Sequence, residues 1–343
     1  MELRRTKRTA WIALVAAPAM LLAACSTGES TEPGGSNEGA TFELTLAHSY
    51  TEDQPQNRCG AQVIADEVKK ADVGLTIEIF PSSQLGGDAD RIASVASGDI
   101  DIDIQGASAL GAIYEPISVL DAAYAFDDAD HLASFMASDA SDVLVDGFAT
   151  ATGVNTLGAW SVGARHFTAN KEIRTPADLE GMRMRFPGSP QYLMNAKALG
   201  ATATEVAYEE LYLALQQGTV DGQENPITNI ESQNLSEVQD YLSLSGHQLN
   251  TNLVIIGAVW EKLSTEQQDA LTSAVKLAVT SVTTCVAEDE EATLNEWRSA
   301  GEWEIIDDVD VDAFQKKAVA YLENTLKGES LEVFQAIRSS SSR

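Results

Sequence analysis

Two arginines in the middle of the chain are well suited to hold a small anion. Arg185 lies near the end of the pattern MRMRF, which alternates like a β-strand and is stopped by Pro187. Arg165 lies in SVGARHFT, where another strand is expected to end. A planar guanidinium offers two parallel N–H donors that match a carboxylate. Each arginine could instead pair with one of the many Asp and Glu side chains and serve only the structure. The residues alone leave both interpretations open.

The stretch TVDGQENPIT, residues 219–228, contains further candidates. Asn225 has both a donor and an acceptor, and it could orient a carboxylate that an arginine already holds. Asp221 and Glu224 could be the catalytic carboxylate pair of an exported hydrolase. The sequence offers neither a nucleophile elbow nor a phosphate loop in support of that hypothesis. The stretch also lacks the regular oxygen-ligand spacing of a calcium site.

Composition restricts the class of protein. The 343 residues carry a formal net charge of -30 at pH 7, and 44% of them are hydrophobic, which is ordinary for a globular chain. The length predicts two lobes rather than one. The acidic balance argues against a nucleic-acid partner, because phosphate binding requires an excess of Lys and Arg. Four scattered histidines give no zinc spacing, so no metal or cofactor is expected.

The N-terminus predicts an exported lipoprotein. Basic residues at 4–8 and an apolar run at 10–24 form a signal peptide over residues 1–24 that is too short to span a membrane. The run ends in LAAC, the lipobox of bacterial lipoproteins, in which the cysteine, here Cys25, is lipidated and becomes the mature N-terminus. The alternative is an ordinary secretory signal followed by a chance cysteine. Small polar residues at 25–40 predict a flexible tether.

The predicted lipid places the protein at the outer face of the cell membrane, either on the cell surface or in the periplasm. Two cysteines then remain for the folded part. Cys59 and Cys285 lie far apart in an exported chain, so they could form a disulfide between distant segments. Two buried free thiols are the alternative, because the sequence does not give the distance between them.

The hydrophobic pattern predicts an α/β fold with two lobes. From Thr41, strand and helix patterns alternate to about residue 107, which favours a mostly parallel sheet with helices on both faces. The alternation resumes near Val154, and helical regions follow at about 265–299 and 311–338. We therefore expect two lobes, each with its own sheet. Ligands of such sheets bind at the carboxyl ends of the strands.

From about Phe42 to the C-terminus the chain resembles the solute-binding proteins of tripartite ATP-independent periplasmic (TRAP) transporters, the DctP-type family. The matching pieces, in the family's order and spacing, are FPSSQLGGD, GARHFTANKEIRTPADLEGMRMRFPGSP, ALGATATEVAYEELYLALQQGTVDGQENPITNI and WEKLSTEQQDAL. The resemblance implies a periplasmic-binding-protein-like fold with a ligand cleft between the lobes and a long helix spanning both. It also implies no chemistry on the ligand, and a small and a large membrane permease subunit as partners.

The expected organisation combines the pattern with this resemblance. Lobe I should comprise residues 41–162 and about 251–290, and lobe II residues 163–250 and about 291–343. A monomer is the default expectation for the oligomeric state.

The resemblance also carries individual positions over to this chain. Arg185 of MRFP matches the arginine that forms the salt bridge with the ligand carboxylate, Arg165 a second arginine near it, and Asn225 of QENP an asparagine that hydrogen-bonds it. Tyr208, in VAYEELY, matches an aromatic position that packs on the ligand. Glu224 is then interpreted as structural. The expected contacts from the first lobe with the rest of the ligand are Ser49, Asp88 and Gly106.

Two further positions refine the expected ligand. Gly106 stands where sialic-acid-binding members have an acidic residue, which argues against sialic acid and favours a smaller organic acid. Trp160, just before a strand end, is a candidate wall of the cleft, with a core tryptophan as the alternative.

The favoured hypothesis is a binding protein that captures a small carboxylate and delivers it to a TRAP permease. An ABC-type solute-binding lipoprotein would share the lobes and the tether but not QENP or MRFP. The hydrolase hypothesis is the third. The identity of the acid stays open, because mono- and dicarboxylates, sugar acids, keto acids and aromatic acids all present the same group to Arg185.

Overall fold

The computed structural model describes residues 39–341. The predicted signal peptide, the lipidation site Cys25 and the predicted tether up to residue 38 lie outside the described residues. The strands within this range are Phe42–His48 (β1), Leu75–Phe80 (β2), Ile102–Gly106 (β3), Asn155–Ala169 (β4), Arg183–Phe186 (β5), Thr202–Glu205 (β6), Gly222–Pro226 (β7), Tyr241–Ile256 (β8) and Glu304–Ile306 (β9).

Helices separate most of these strands. The α-helices in the described range are Gln62–Ala71 (α1), Asp88–Ser97 (α2), Ala107–Leu110 (α3), Ala129–Met136 (α4), Asp139–Thr152 (α5), Pro190–Leu199 (α6), Leu211–Gln216 (α7), Ile227–Ser232 (α8), Thr265–Ala300 (α9), Val311–Thr325 (α10) and Gly328–Ser339 (α11). Shorter helical turns are Gln56–Ala61, Glu115–Asp121, Pro176–Leu179, Tyr208–Glu210, Leu235–Glu237 and Ala258–Lys262. The alternation confirms the predicted α/β class.

The strands form one hydrogen-bonded sheet in the order β2-β1-β3-β8-β4-β7-β5-β6, with β9 on β8. One half is parallel around β1, which pairs with β2 and β3, and the other is parallel around β5, which pairs with β6 and β7. The expectation of a separate sheet in each lobe is therefore wrong, because hydrogen bonds connect all nine strands of the described range in one sheet. The antiparallel strands β4 and β8, of 15 and 16 residues, are long enough to belong to both halves. The lobe bounds given above stay a prediction.

A helix of 36 residues, α9, covers one face of β4. Ser264 begins it with a capping box, in which its Oγ accepts from the N–H of Gln267 while the Gln267 side chain accepts from the N–H of Ser264. Its buried residues recur at helical spacing and form one apolar stripe. These residues include Leu271, Ala274, Val275, Ala278, Val282 and Val286. The predicted long helix is thus confirmed.

A disulfide joins the beginning of the fold to the middle of α9. Cys59, in the helical turn before α1, is bonded to Cys285 across 226 residues of sequence. Arg58 and Asp289 form an ion pair beside it. The predicted bridge is confirmed, and the free-thiol alternative is excluded. The bond anchors α9 against the first half of the sheet.

An irregularity in β4 lies just before Arg165. The register between β4 and β8 shifts between Ser161 and Gly163, and Gly163 has a φ of 105°, which residues with a Cβ rarely adopt. A Cβ at this position would lie 2.0 Å from Glu290 Oε1 on α9. Glycine is therefore required where the strand passes the long helix.

Candidate functional site

A cavity of about 580 Å³ lies where several strands reach their carboxyl ends. Its wall includes the residues that end or follow β1, β3, β5 and β6. This is the edge of an α/β sheet at which ligands are expected. Of the predicted ligand contacts, those that line the cavity are Ser49, Asp88, Gly106, Arg165, Arg185, Tyr208 and Asn225. That each touches a ligand stays a prediction.

Trp160 does not line this cavity. Its side chain is 1% exposed and packs in the core between the sheet and α9, close to Gly60 and Val282. A Cβ on Gly60 would lie 3.3 Å from the Trp160 ring, so the missing side chain makes room for the indole. Of the two interpretations of Trp160, the structure therefore supports the core residue.

Arg165 is fully engaged by its neighbours. Its guanidinium forms a two-point ion pair with the Glu224 carboxylate, donates from Nη2 to the Glu224 carbonyl oxygen at 2.7 Å, and donates from Nη1 to Asn250 Oδ1 at 2.6 Å. Nη2 also reaches Asn225 Oδ1 at 3.1 Å. Burial alone would lower the pKa of Arg165, but Glu224 outweighs that effect and raises it. Arg165 and Glu224 together add no net charge to the cavity wall.

Glu224 is held as a carboxylate in the interior. Burial would raise its pKa, but Arg165 outweighs burial and keeps the pKa below its ordinary value. His247 Nε2 lies 3.3 Å from Glu224 Oε2, and the imidazole stacks on Phe167 with 4.2 Å between the ring centroids. Burial lowers the pKa of His247, so the imidazole is neutral at pH 7. The structural role expected for Glu224 is consistent with these contacts.

The second carboxylate of the proposed hydrolase pair lies elsewhere. Asp221 accepts from the Arg183 N–H at 2.8 Å and forms an exposed ion pair with the Arg183 guanidinium. Hydrogen bonds from Arg183 hold the pKa of Asp221 below its ordinary value. Asp221 is not among the residues that line the cavity. Asp221 and Glu224 therefore each form an ion pair with a different arginine, and both are ionised at neutral pH.

Arg185 differs from Arg165 in having no counter-charge. It is 1% exposed, its Nε donates to the Val206 carbonyl oxygen at 2.9 Å, and its buried Nη1 has no hydrogen-bond partner. Within the described chain no carboxylate lies at ion-pair distance from it. Burial lowers its pKa to about 10, with Glu224 acting in the opposite direction, so it stays charged at pH 7. Arg185 is a buried cation that faces the cavity unpaired.

A group of asparagines lines the cavity beside the two arginines. Tyr50 donates to Asn252 Oδ1 at 2.7 Å, while the buried Asn252 Nδ2 has no partner. Asn250 and Asn252 were not predicted from the sequence, although β8 carries polar side chains at a period of two over residues 248–252 in a buried strand, which is a usable signal. Asn229 was not predicted either, whereas Asn225 was. The asparagines on the cavity wall are Asn225, Asn229, Asn250 and Asn252.

The family follows from comparison with known proteins. The model of the family DctP, described as bacterial extracellular solute-binding protein, family 7, matches residues 46–328. The chain belongs to this family. It is 32% identical to the Escherichia coli 2,3-diketo-L-gulonate-binding periplasmic protein YiaO over 242 residues, which cover 70% of this chain and 73% of that protein.

Two further proteins are similar to this chain. The chain is 30% identical over 282 residues to an uncharacterized Sinorhizobium fredii protein, covering 82% of this chain but only 52% of that protein. A crystal structure of a TRAP periplasmic solute-binding protein from Polaromonas with bound D-erythronate is 30% identical, with a TM-score of 0.82 over 89% of this chain and 100% of that one. The family model and the Polaromonas structure confirm the two-lobed fold and an extracytoplasmic TRAP binding protein rather than the ABC-type alternative.

The contrast between Glu224 and Asp221 can be tested by stability. Glu224→Gln leaves the Arg165 charge buried without a counter-charge, so we expect the free energy of unfolding to fall by about 3 kcal/mol. Asp221→Asn, in the same stretch, breaks a pair whose side chains are 38% and 52% exposed, and should cost under about 1 kcal/mol. Urea denaturation of both variants beside the unmutated protein measures the difference. Equal losses in the two variants would contradict the role given to Glu224.

A buried carboxyl beneath the site predicts a pH dependence of stability. Glu290 Oε1 is shielded from solvent without a partner, and burial raises the pKa of Glu290 to about 8, opposed by the Ile227 N–H. The folded state therefore holds a proton that the unfolded chain releases near pH 4.5. The contribution of Glu290 to stability is therefore most favourable below pH 4.5 and falls as the pH rises to 8, by at most about 1.4 kcal/mol per pH unit.

Glu290→Gln should remove that slope, since an amide does not titrate. Urea denaturation from pH 5 to 8 compares the two proteins, with the exposed Glu288→Gln on the same helix as the control. The difference in stability between the Glu290 variant and the unmutated protein should grow with pH. A constant difference across this range would show that Glu290 is ionised in the fold.

Proposed function

We propose that the protein captures a small organic acid outside the cytoplasm and delivers it to the membrane permease subunits of a TRAP transporter. The observation that carries this proposal is the unpaired Arg185. A guanidinium buried without a counter-charge is costly unless an anion joins it, and a ligand carboxylate would do so. The Nη1 group would supply donors that the folded chain leaves unused.

The balance of charge supports a carboxylate as the recognised group. Glu224 neutralises Arg165, so the wall around the two arginines keeps one net positive charge, that of Arg185. Asn225 accepts a hydrogen bond from Arg165 and lines the same cavity as Arg185, where its amide would orient the carboxylate. Half-buried Tyr208 would pack against the carbon chain. The E. coli relative is a 2,3-diketo-L-gulonate-binding protein and the Polaromonas structure contains D-erythronate, which supports an acid of this size.

The site would bind its ligand without converting it. The acids of TVDGQENP are both ionised and both occupied by arginines, so neither is placed to donate or remove a proton. Hydrogen bonds from Gln54 to Asn229, at 3.1 Å, and from Ser83 to Glu209 join distant segments around the cavity. We infer that they help to hold a captured ligand inside.

Exchanging Arg185 tests the proposal. Arg185→Gln should weaken binding of the acid at least about 100-fold, or about 2.7 kcal/mol, because the carboxylate loses its charged partner. Arg183→Gln is the matched control, since Arg183 lies on the same strand but is exposed and paired with Asp221. Thermal shift and calorimetry with D-erythronate, 2,3-diketo-L-gulonate and succinate provide the measurement.

Affinity for one of these acids that survives unchanged in Arg185→Gln would refute the carboxylate anchor. If no acid of the panel binds, mass spectrometry of the denatured protein identifies any acid retained from the cell. The absence of both bound and retained acids would refute the proposed function.

We further propose that a lipid on Cys25 holds the protein, as a monomer, at the outer face of the membrane beside the permease. The support is the LAAC pattern after a basic and apolar leader. Cys25→Ser should move the protein from the membrane fraction to the soluble fraction, while Ser26→Ala should not. Recovery of the unmutated protein in the soluble fraction, with no lipid on its N-terminal peptide, would overturn the anchor.

A further inference from the structure

The cavity wall also contains a group of opposite charge to Arg185, the carboxylate of Asp88. Asp88, the first residue of α2, lines the cavity with a side chain that is 48% exposed. Its Oδ1 accepts from Ser49 Oγ at 3.0 Å and from Arg91 Nη2 at 2.9 Å. Oδ2 accepts no hydrogen bond within the described residues. On this side of the cavity, Asp88 therefore offers the ligand a hydrogen-bond acceptor rather than a donor.

Arg91 supports this carboxylate and does not face the ligand. It is 1% exposed, and it is absent from the cavity wall. Its Nε donates to Asp103 Oδ1 at 3.0 Å and its Nη1 to the Gly86 carbonyl oxygen at 2.9 Å, so each nitrogen of the guanidinium has a partner. A second ligand carboxylate would therefore find no available guanidinium here.

Apart from two arginines, the charged residues on the wall are acids like Asp88. Of the residues described as lining the cavity, the cations are Arg165 and Arg185, and the first is neutralised by Glu224. The acids on the wall are Asp88, Asp90, Glu205 and Glu209. One ligand carboxylate has a partner in Arg185, whereas a second would meet carboxylates, and burying like charges together is unfavourable.

Neutral polar groups complete the wall. Asn252 is 1% exposed, and its Nδ2 has no hydrogen-bond partner, so it offers donors to a hydroxyl or carbonyl oxygen. Gly106 leaves open space, since an added Cβ meets no atom within 4 Å. A hydroxyl group can donate to Asp88 and accept from Asn252, which neither a methylene nor a carboxylate can do.

We propose that the site selects a polyhydroxy acid with a single carboxylate, and that Asp88, held by Arg91 and Ser49, is the residue that excludes dicarboxylates. This inference rests on the proposed function, because it takes Arg185 as the anchor of the first carboxylate. The hydroxyls of the ligand donate to Asp88, and its oxygens accept from Asn252.

Matched pairs of acids test the selection. D-erythronate and meso-tartrate, or D-gluconate and D-glucarate, differ in whether the far carbon is an alcohol or a carboxylate. In the unmutated protein we expect the single acid of a pair to bind at least about 30-fold more tightly than the diacid. In Asp88→Asn the ratio should fall below about three-fold, with the gain in affinity coming from the diacid.

A control variant separates a specific effect from the overall charge. Asp99→Asn removes the same charge next to the other end of α2, where Asp99 is exposed and away from the cavity. It should leave the ratio within about two-fold of its original value, because exposed charges are screened. Calorimetry at one ionic strength gives the ratios, and thermal unfolding verifies that each variant is folded.

The outcomes distinguish this inference from the function on which it rests. If the unmutated protein prefers the diacid, or if Asp88→Asn leaves the ratio of the two affinities unchanged, the role of Asp88 is overturned. The proposed function still stands in that case, provided that binding of the acids depends on Arg185. If no acid of any pair binds and none is retained from the cell, both the selection and the proposed function are overturned.

Discussion

A guanidinium inside a protein is stable only when an opposite charge or a full set of acceptors compensates for the lost water. Two guanidiniums share this cavity wall, and Glu224 lies at ion-pair distance from only one of them. Arg165 takes that carboxylate together with Asn250 and Asn225, which fixes the positions of both amides. Arg185 is left with a carbonyl partner and an unfilled donor. The affinity of the site for an anion follows from this imbalance.

Two long strands position the polar groups that surround the two arginines. β4 carries Arg165 and β8 carries Asn250 and Asn252, and both strands run from one half of the sheet into the other. The short parallel strands β5 and β7 add Arg185 and Asn225 from one side, and β1 and β3 deliver their ends from the other. The helix α9, fixed by the Cys59–Cys285 bond, supports β4 from behind. The polar wall is thus built on rigid elements rather than on loops alone.

The α/β class and the long helix could be predicted from the sequence, because hydrophobic alternation and helical spacing encode them, and the two cysteines of an exported chain suggested a disulfide. The expected contacts Ser49, Asp88 and Tyr208 came instead from the family resemblance. The core position of Trp160 and the single continuous sheet could not be predicted in this way. β4 has register shifts on both sides of position 163, so side-chain alternation counted along the sequence loses its phase there. Which arginine takes Glu224 depends on the pairing of β4 with β7, a contact between residues 59 apart that no local pattern specifies.

The most direct measurement is a crystal structure of the protein with the acid of the panel that binds most tightly. We expect a ligand carboxylate within hydrogen-bond distance of Arg185 Nη1, at about 2.8 Å, with the Arg165–Glu224 pair intact. A carboxylate bound instead to Arg165, with Glu224 displaced, or one placed away from both arginines, would contradict it.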